Sequence, residues 1–177
     1  KVLILPQSFA ISDKERAEIE AFVKAGGTVI ADTSAGILDG KCRKQPQGML
    51  DTLFGIKRGG KTDTTLGVKM GNEEINLQAA EPVTAAGATA LATSLGDSQT
   101  PAVLRNQSGK GLAWYLNLDL RPYDNERIFH TAGEKQIRAL LGTILGEADL
   151  KPQYTVTLAS GAAPNIGRGS TGCGVGM

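Results

Sequence analysis

Chemistry in this sequence is best sought where hydroxyls follow a buried strand. Thr28-Val29-Ile30-Ala31 is a continuous apolar run, and Asp32-Thr33-Ser34-Ala35-Gly36 follows it as a tight turn. Such a turn can present Ser34 or Thr33 as a nucleophile, although Thr-Ser-Ala-Gly lacks the leading glycine of G-x-S-x-G. A serine nucleophile also needs a base oriented by a third group. The only histidine in the sequence is His130, next to Phe129 in a helical pattern, which favours a structural or surface role. The competing reading makes Thr33 and Ser34 turn residues and lets Asp32 cap the N–H groups of the turn. Asp32, Asn117, Asp119 and Arg121 fall at strand ends, where they can bind sugar hydroxyls or simply cap loops.

No cofactor or metal is expected. One histidine and two cysteines without a C-x-x-C make a thin ligand set. Gly167-Arg168-Gly169-Ser170-Thr171-Gly172 has the G-x-G-x-x-G spacing, but no helix pattern follows it, and the motif has meaning only between a strand and a helix. Cys42 and Cys173 lie far apart in polar or Gly-rich stretches and read as free thiols, which leans towards a reducing, cytoplasmic setting.

The elements that position the turn begin at Val2-Leu3-Ile4-Leu5, an apolar run that suits a strand buried on both faces. Ser12-Asp13-Lys14-Glu15 has capping-box spacing, so a helix starts there, and Ile19, Phe22 and Val23 form its apolar stripe. Gly26-Gly27 ends it. Strand, helix and strand in this order predict a parallel pair joined by a right-handed crossover, with any site at the carboxyl ends of the strands. Gly48–Phe54 predicts a short helix stopped by Gly55. From Ile56 to Asn106 short runs (66–70, 75–77, 88–95, 102–105) separated by Gly, Asn, Asp and Pro predict an antiparallel meander. Asn106-Gln107-Ser108 fits a glycosylation sequon and is read as a turn. Ser108-Gly109-Lys110-Gly111 predicts a hairpin turn into a central strand, Leu112–Leu118. A helix is expected over Asn125–Gly146, weakened at Gly133. Tyr154–Leu158 alternates like an edge strand, and 160–177 reads as a Gly-rich tail or linker. The expected division is thus 1–150 for an α/β domain and 151–177 for the remainder.

The whole chain has 177 residues, 41% hydrophobic and 21% charged, with a net charge of +1. This near-neutral balance argues against nucleic acid or an anionic membrane as the main partner. No apolar run approaches the ~18 residues that span a bilayer. The chain opens on a core strand without a starting Met, and so reads as a piece of a longer protein.

Several of these stretches resemble a known family. The "VLILP" strand, the "FVKAGGTVIAD" helix exit and strand, "LDTLFGI", and Pro101–Leu104 with the Gly109-Lys110-Gly111 hairpin and the Trp114–Leu118 strand resemble the class I glutamine amidotransferase-like domain. The version they are most similar to is the trimerisation domain of glycoside hydrolase family 42 β-galactosidases. The resemblance implies an α/β fold with a three-layer, flavodoxin-like sheet and an antiparallel β extension. It also implies that the first strands of a full flavodoxin-like sheet lie upstream or are replaced. Active amidotransferases have a cysteine at the elbow and a His-x-Glu pair after the late strand. Here those places read Asp32–Gly36 and Asn117-Leu118-Asp119, so the resemblance argues against amidotransferase activity. The function it implies is a non-catalytic accessory domain of a carbohydrate-active protein, working by self-association or by closing a neighbouring subunit's glycoside-binding cleft, with a neighbouring catalytic domain as partner and carbohydrate as a further candidate ligand. Tyr123, Phe129 and Phe54 are candidate contact anchors or, equally, core residues. The alternatives are a hydrolase or transferase using Ser34 or Thr33, and a sugar-binding module.

Overall fold

The structure, a computed structural model, describes residues 1–61, 65–118, 120 and 132–151. The strands are β1 (Val2–Leu5), β2 (Ala10–Ile11), β3 (Thr28–Ala31), β4 (Leu38–Asp39), β5 (Ile56–Arg58), β6 (Leu66–Met70), β7 (Glu73–Gln78), β8 (Val83–Ala85), β9 (Thr89–Ser94), β10 (Pro101–Ser108) and β11 (Gly111–Leu116). The helices are α1 (Asp13–Lys24), α2 (Asp51–Phe54) and α3 (Ala132–Glu147).

A mixed seven-stranded sheet in the order β1-β3-β11-β10-β9-β6-β7 carries the fold. β1, β3 and β11 run parallel, with Leu3 beside Val29 and Ala113 beside Val29 on its other side. From β11 onward every pairing is antiparallel. The architecture is therefore α/β, a parallel half continued by an antiparallel half. The antiparallel strands expected over Ile56–Asn106 are present but not as a simple meander, because β9 pairs with β6 rather than β7 and β5 and β8 form a separate two-stranded sheet.

Alternation along β3 and β11 builds a core on each face of the sheet. Val29, Ala31, Ala113 and Tyr115 pack with Ile19 and Val23 of α1 and Leu53 and Phe54 of α2. Ile30, Trp114 and Leu116 pack on the opposite face with Ile137, Leu140 and Ile144 of α3.

The local signals act as the sequence suggests. The Ser12 hydroxyl accepts from Glu15 N–H at 3.3 Å, and the Glu15 carboxylate accepts from Ser12 N–H at 2.8 Å. Gly55 stops α2 in the left-handed conformation, φ 62°.

Two further expectations are corrected, and a third is decided between its alternatives. β1 is the outermost described strand on its side, so it has a neighbour on one edge only, and Ile4 is 60% exposed rather than buried. Asn106-Gln107-Ser108 belongs to β10 instead of a turn: Asn106 pairs with Ala113, and its Nδ2 donates to Leu53 O at 2.8 Å. Of the two readings of Phe54 the core one holds: it is 0% exposed and packed against the Tyr115 ring at 5.4 Å. Tyr123, Phe129, the Tyr154–Leu158 stretch, the Gly-rich tail with its G-x-G-x-x-G, Cys173 and the start of the last helix lie outside the described residues. Cys42 is a free, exposed thiol. Among the described residues no helix is long and apolar enough to cross a membrane.

Candidate functional site

β3 is buried throughout and delivers the chain to the turn, where Ser34 takes a left-handed conformation, φ 63°, and Gly36 another, φ 67°. A non-glycine residue there is costly unless its surroundings hold it. Two contacts fix the turn from behind: Gly36 N–H donates to Ser8 O at 2.9 Å, and Met49 N–H to Gly36 O at 2.7 Å.

In front, the turn meets a partly buried network that links distant stretches of chain. Ser34 N–H donates to Glu81 Oε2 at 2.9 Å and to the Tyr115 hydroxyl at 3.1 Å, and Ser34 Oγ donates to Glu81 Oε1 at 2.7 Å. The Tyr115 hydroxyl donates to Glu81 Oε2. Arg58 spans the rest. Its Nη1 donates to Glu81 Oε2 at 2.7 Å and its Nη2 to Ala35 O at 3.2 Å, while its Nε donates to Asp51 Oδ1 at 2.9 Å. Asp51 is 0% exposed and also accepts from Gly48 N–H at 2.8 Å.

Glu81 is brought in by main chain. Ala79 bridges to Leu118, and the Asn117 amide clamps Glu81 by accepting from its N–H at 2.9 Å and donating to its O at 2.8 Å. The same amide donates to Pro101 O at 2.9 Å. Asn117 is fully buried and pins this loop to the end of β11.

The electrostatics follow from this wiring. Burial pushes the Glu81 carboxyl up, but hydrogen bonds from Tyr115 and Ser34 and the charge of Arg58 outweigh it and hold the group below its ordinary value. Burial raises the Tyr115 phenol far above its usual range, so it stays a neutral donor. Asp32 behaves differently: burial raises its carboxyl, the neighbouring Glu81 charge adds to this, and a 2.7 Å hydrogen bond from Gln7 N–H only partly opposes it.

Since the folded state favours protonated Asp32, stability present below the ordinary value near 3.8 is lost as pH rises through the higher folded value. Asp32→Asn is therefore expected to melt above the parent at pH 7, with the gap closing as the pH is lowered below 4. Melts across that range check the sign.

Of the residues expected to act, Asp32, Thr33 and Ser34 line one cleft of about 430 Å³ together with Gln7, Phe9 and Glu81. Asp32 holds the chain after β1, while the Ser34 N–H of the turn is taken by Glu81. Asp119, Arg121 and His130 lie outside the described residues. Glu81, Arg58, Tyr115 and Asp51 were not legible as a site. Glu81 sits in a plain Ala-Ala-Glu-Pro stretch, and Tyr115 looks like any residue of an apolar strand. Among the described residues no group of three His, Cys, Asp or Glu forms a metal site.

Set against known proteins, the profile of the β-galactosidase trimerisation domain of glycoside hydrolase family 42 matches residues 1–151. The chain belongs to this family. Among solved structures, the trimerisation domain is similar to part of Gan42B, a GH42 β-galactosidase from G. stearothermophilus, in a catalytic-mutant form. The identity is 26%, the TM-score 0.70, and the alignment covers 89% of this chain and 23% of that one. It is similar to the cold-adapted β-galactosidase from Rahnella sp. R3 at 27% identity and TM-score 0.58, over 67% of this chain and 20% of that one. The β-galactosidase from Bacillus circulans sp. alkalophilus shares the fold at 19% identity and TM-score 0.69, over 89% of this chain and 24% of that one. The trimerisation domain thus spans under a quarter of each of these enzymes. No curated protein matches it.

Proposed function

We propose that this chain works as a non-catalytic oligomerisation module of a larger β-galactosidase-like glycoside hydrolase, holding copies of the parent together beside their catalytic domains. The match to the trimerisation domain over residues 1–151 carries this reading. The strand-end turn agrees with it. The residue placed as a nucleophile, Ser34, gives its hydroxyl to a carboxylate that Arg58 and Tyr115 already hold ionised, and such a carboxylate is a weak base. Its N–H, the natural donor to an oxyanion, is engaged by the same group.

The finer fold assignment belongs to the same proposal. Helices packed on both faces of the parallel half support a three-layer, flavodoxin-like arrangement of the amidotransferase-like type, with β5 to β10 as its antiparallel extension. The same proposal assigns residues 1–150 to that unit and sets 151–177 apart from it.

Light scattering after size exclusion tests the reading directly. The expected mass at high concentration is three times the 18.5 kDa of one chain. A single-chain mass at every concentration up to the millimolar range would count against self-association through this module.

A further inference from the structure

The carboxylate of Glu81 lies where an external ligand of a strand-end site would lie. A backbone N–H and a hydroxyl of Ser34, the phenol of Tyr115 and one arm of the Arg58 guanidinium all direct donors at it. A charged arm, a main-chain N–H and neutral hydroxyls converging on two oxygens form a receptor for a carboxylate.

The parts of this receptor are fixed by contacts that do not involve Glu81. The turn is held by Gly36 through Ser8 O and Met49 N–H. Tyr115 is set by its register beside Ala31 in β3 and by its ring contact with Phe54. Arg58 is anchored by Asp51 and by Ala35 O. Glu81 is delivered separately, by the Asn117 clamp on its main chain. The adjoining cleft, which Glu81 itself lines, gives a small ion a route from solvent.

We propose that Ser34, Arg58 and Tyr115 form a carboxylate receptor occupied in cis by Glu81, and that a small free carboxylate takes the vacated place when the Glu81 side chain is removed. The wild-type chain is in consequence closed at this position to outside carboxylate ligands.

The test uses the full chain, formate as the probe and thermal melts as the readout, with sodium chloride at matched ionic strength as the control. Glu81→Ala is expected to melt lower than wild type and to regain a few degrees as formate rises through the millimolar range, since a ligand that binds only the folded state raises Tm with its concentration. Wild type is expected to be indifferent to formate beyond the chloride control. Glu81→Gln, which fills the receptor with an uncharged amide, is expected to be equally indifferent. Should Glu81→Ala be unfolded in plain buffer, formate is expected to restore its far-UV circular dichroism where chloride does not. An equal response of Glu81→Ala to chloride, no response to formate in either melt or refolding, or a formate response of wild type matching that of Glu81→Ala would each overturn the proposal.

Discussion

Exchange of Arg58 for Met is expected to cost about 3–5 kcal/mol, the usual cost of removing one partner from a buried ion pair. Arg58 is the cation that serves both Asp51, which is 0% exposed, and Glu81, whose side chain is 18% exposed. Without it two carboxylates keep their burial and lose their main counter-charge, while Ala35 O loses its donor. At roughly 2–4 °C per kcal/mol for a chain of this size, Tm is expected to fall by about 6–20 °C. Arg58→Lys should recover only part of this. An ammonium is a point charge and cannot reproduce the planar fork that reaches Asp51 through Nε and Glu81 through Nη1.

Acid gives an internal check. Glu81 is held below its ordinary value, so its contribution to stability is present above about pH 4.5 and is lost as pH falls through the lower folded value. In Arg58→Met that carboxyl protonates earlier, and the gap to wild type should narrow as the pH drops. Urea titrations at pH 7 and pH 4 measure both effects. A loss below about 1 kcal/mol at neutral pH would show that the network is an ordinary surface ion pair.

What the sequence made legible was local. The capping box needs only Ser12 and Glu15, and the α2 stop needs only Gly55, because each acts through hydrogen bonds within a few residues. The apolar run at Leu112–Leu116 announced a central strand because burial on both faces leaves no alternation to read. The same reasoning failed for Val2–Leu5: an edge strand can carry the same apolar run, and which edge a neighbour occupies is a property of the whole sheet. The strand-end turn was located correctly, but its partners were not. Residues 34, 51, 58, 81 and 115 meet only after β5, β8, β11 and the loop before β8 have been brought together, and no spacing encodes that meeting. Asn106 misled for a related reason. Its side chain suits a turn, yet in β10 it reaches Leu53 O and closes the end of α2.

Gly111→Ala is the second substitution with a large expected effect, although Gly111 has no special backbone angle and its glycine is easily overlooked. The hairpin between β10 and β11 rests on the C-terminal end of α1. There Lys110 N–H donates to Lys24 O at 3.2 Å, and Leu112 N–H donates to Gly27 O at 3.2 Å. These bonds satisfy carbonyls at and just beyond the helix end, which have no partner within the helix. A Cβ on Gly111 would stand 2.1 Å from Gly27 O and 2.2 Å from Val23 O. Both are main-chain atoms, so no side chain can swing aside and the hairpin itself has to lift. Lifting it strains the contact by about 1–3 kcal/mol and weakens two hydrogen bonds worth roughly 0.5–1.5 kcal/mol each. It also disturbs the register that places Leu112 beside Thr28. The expected loss is therefore about 2–6 kcal/mol by urea titration. Gly142→Ala in α3 provides the contrast. A methyl group there would meet nothing within 4 Å, so the helix-propensity gain of up to about 1 kcal/mol should emerge as added stability. If Gly111→Ala leaves stability unchanged or raises it as Gly142→Ala is expected to, the docking of the β10–β11 hairpin on α1 is not what holds the parallel half of the sheet in place.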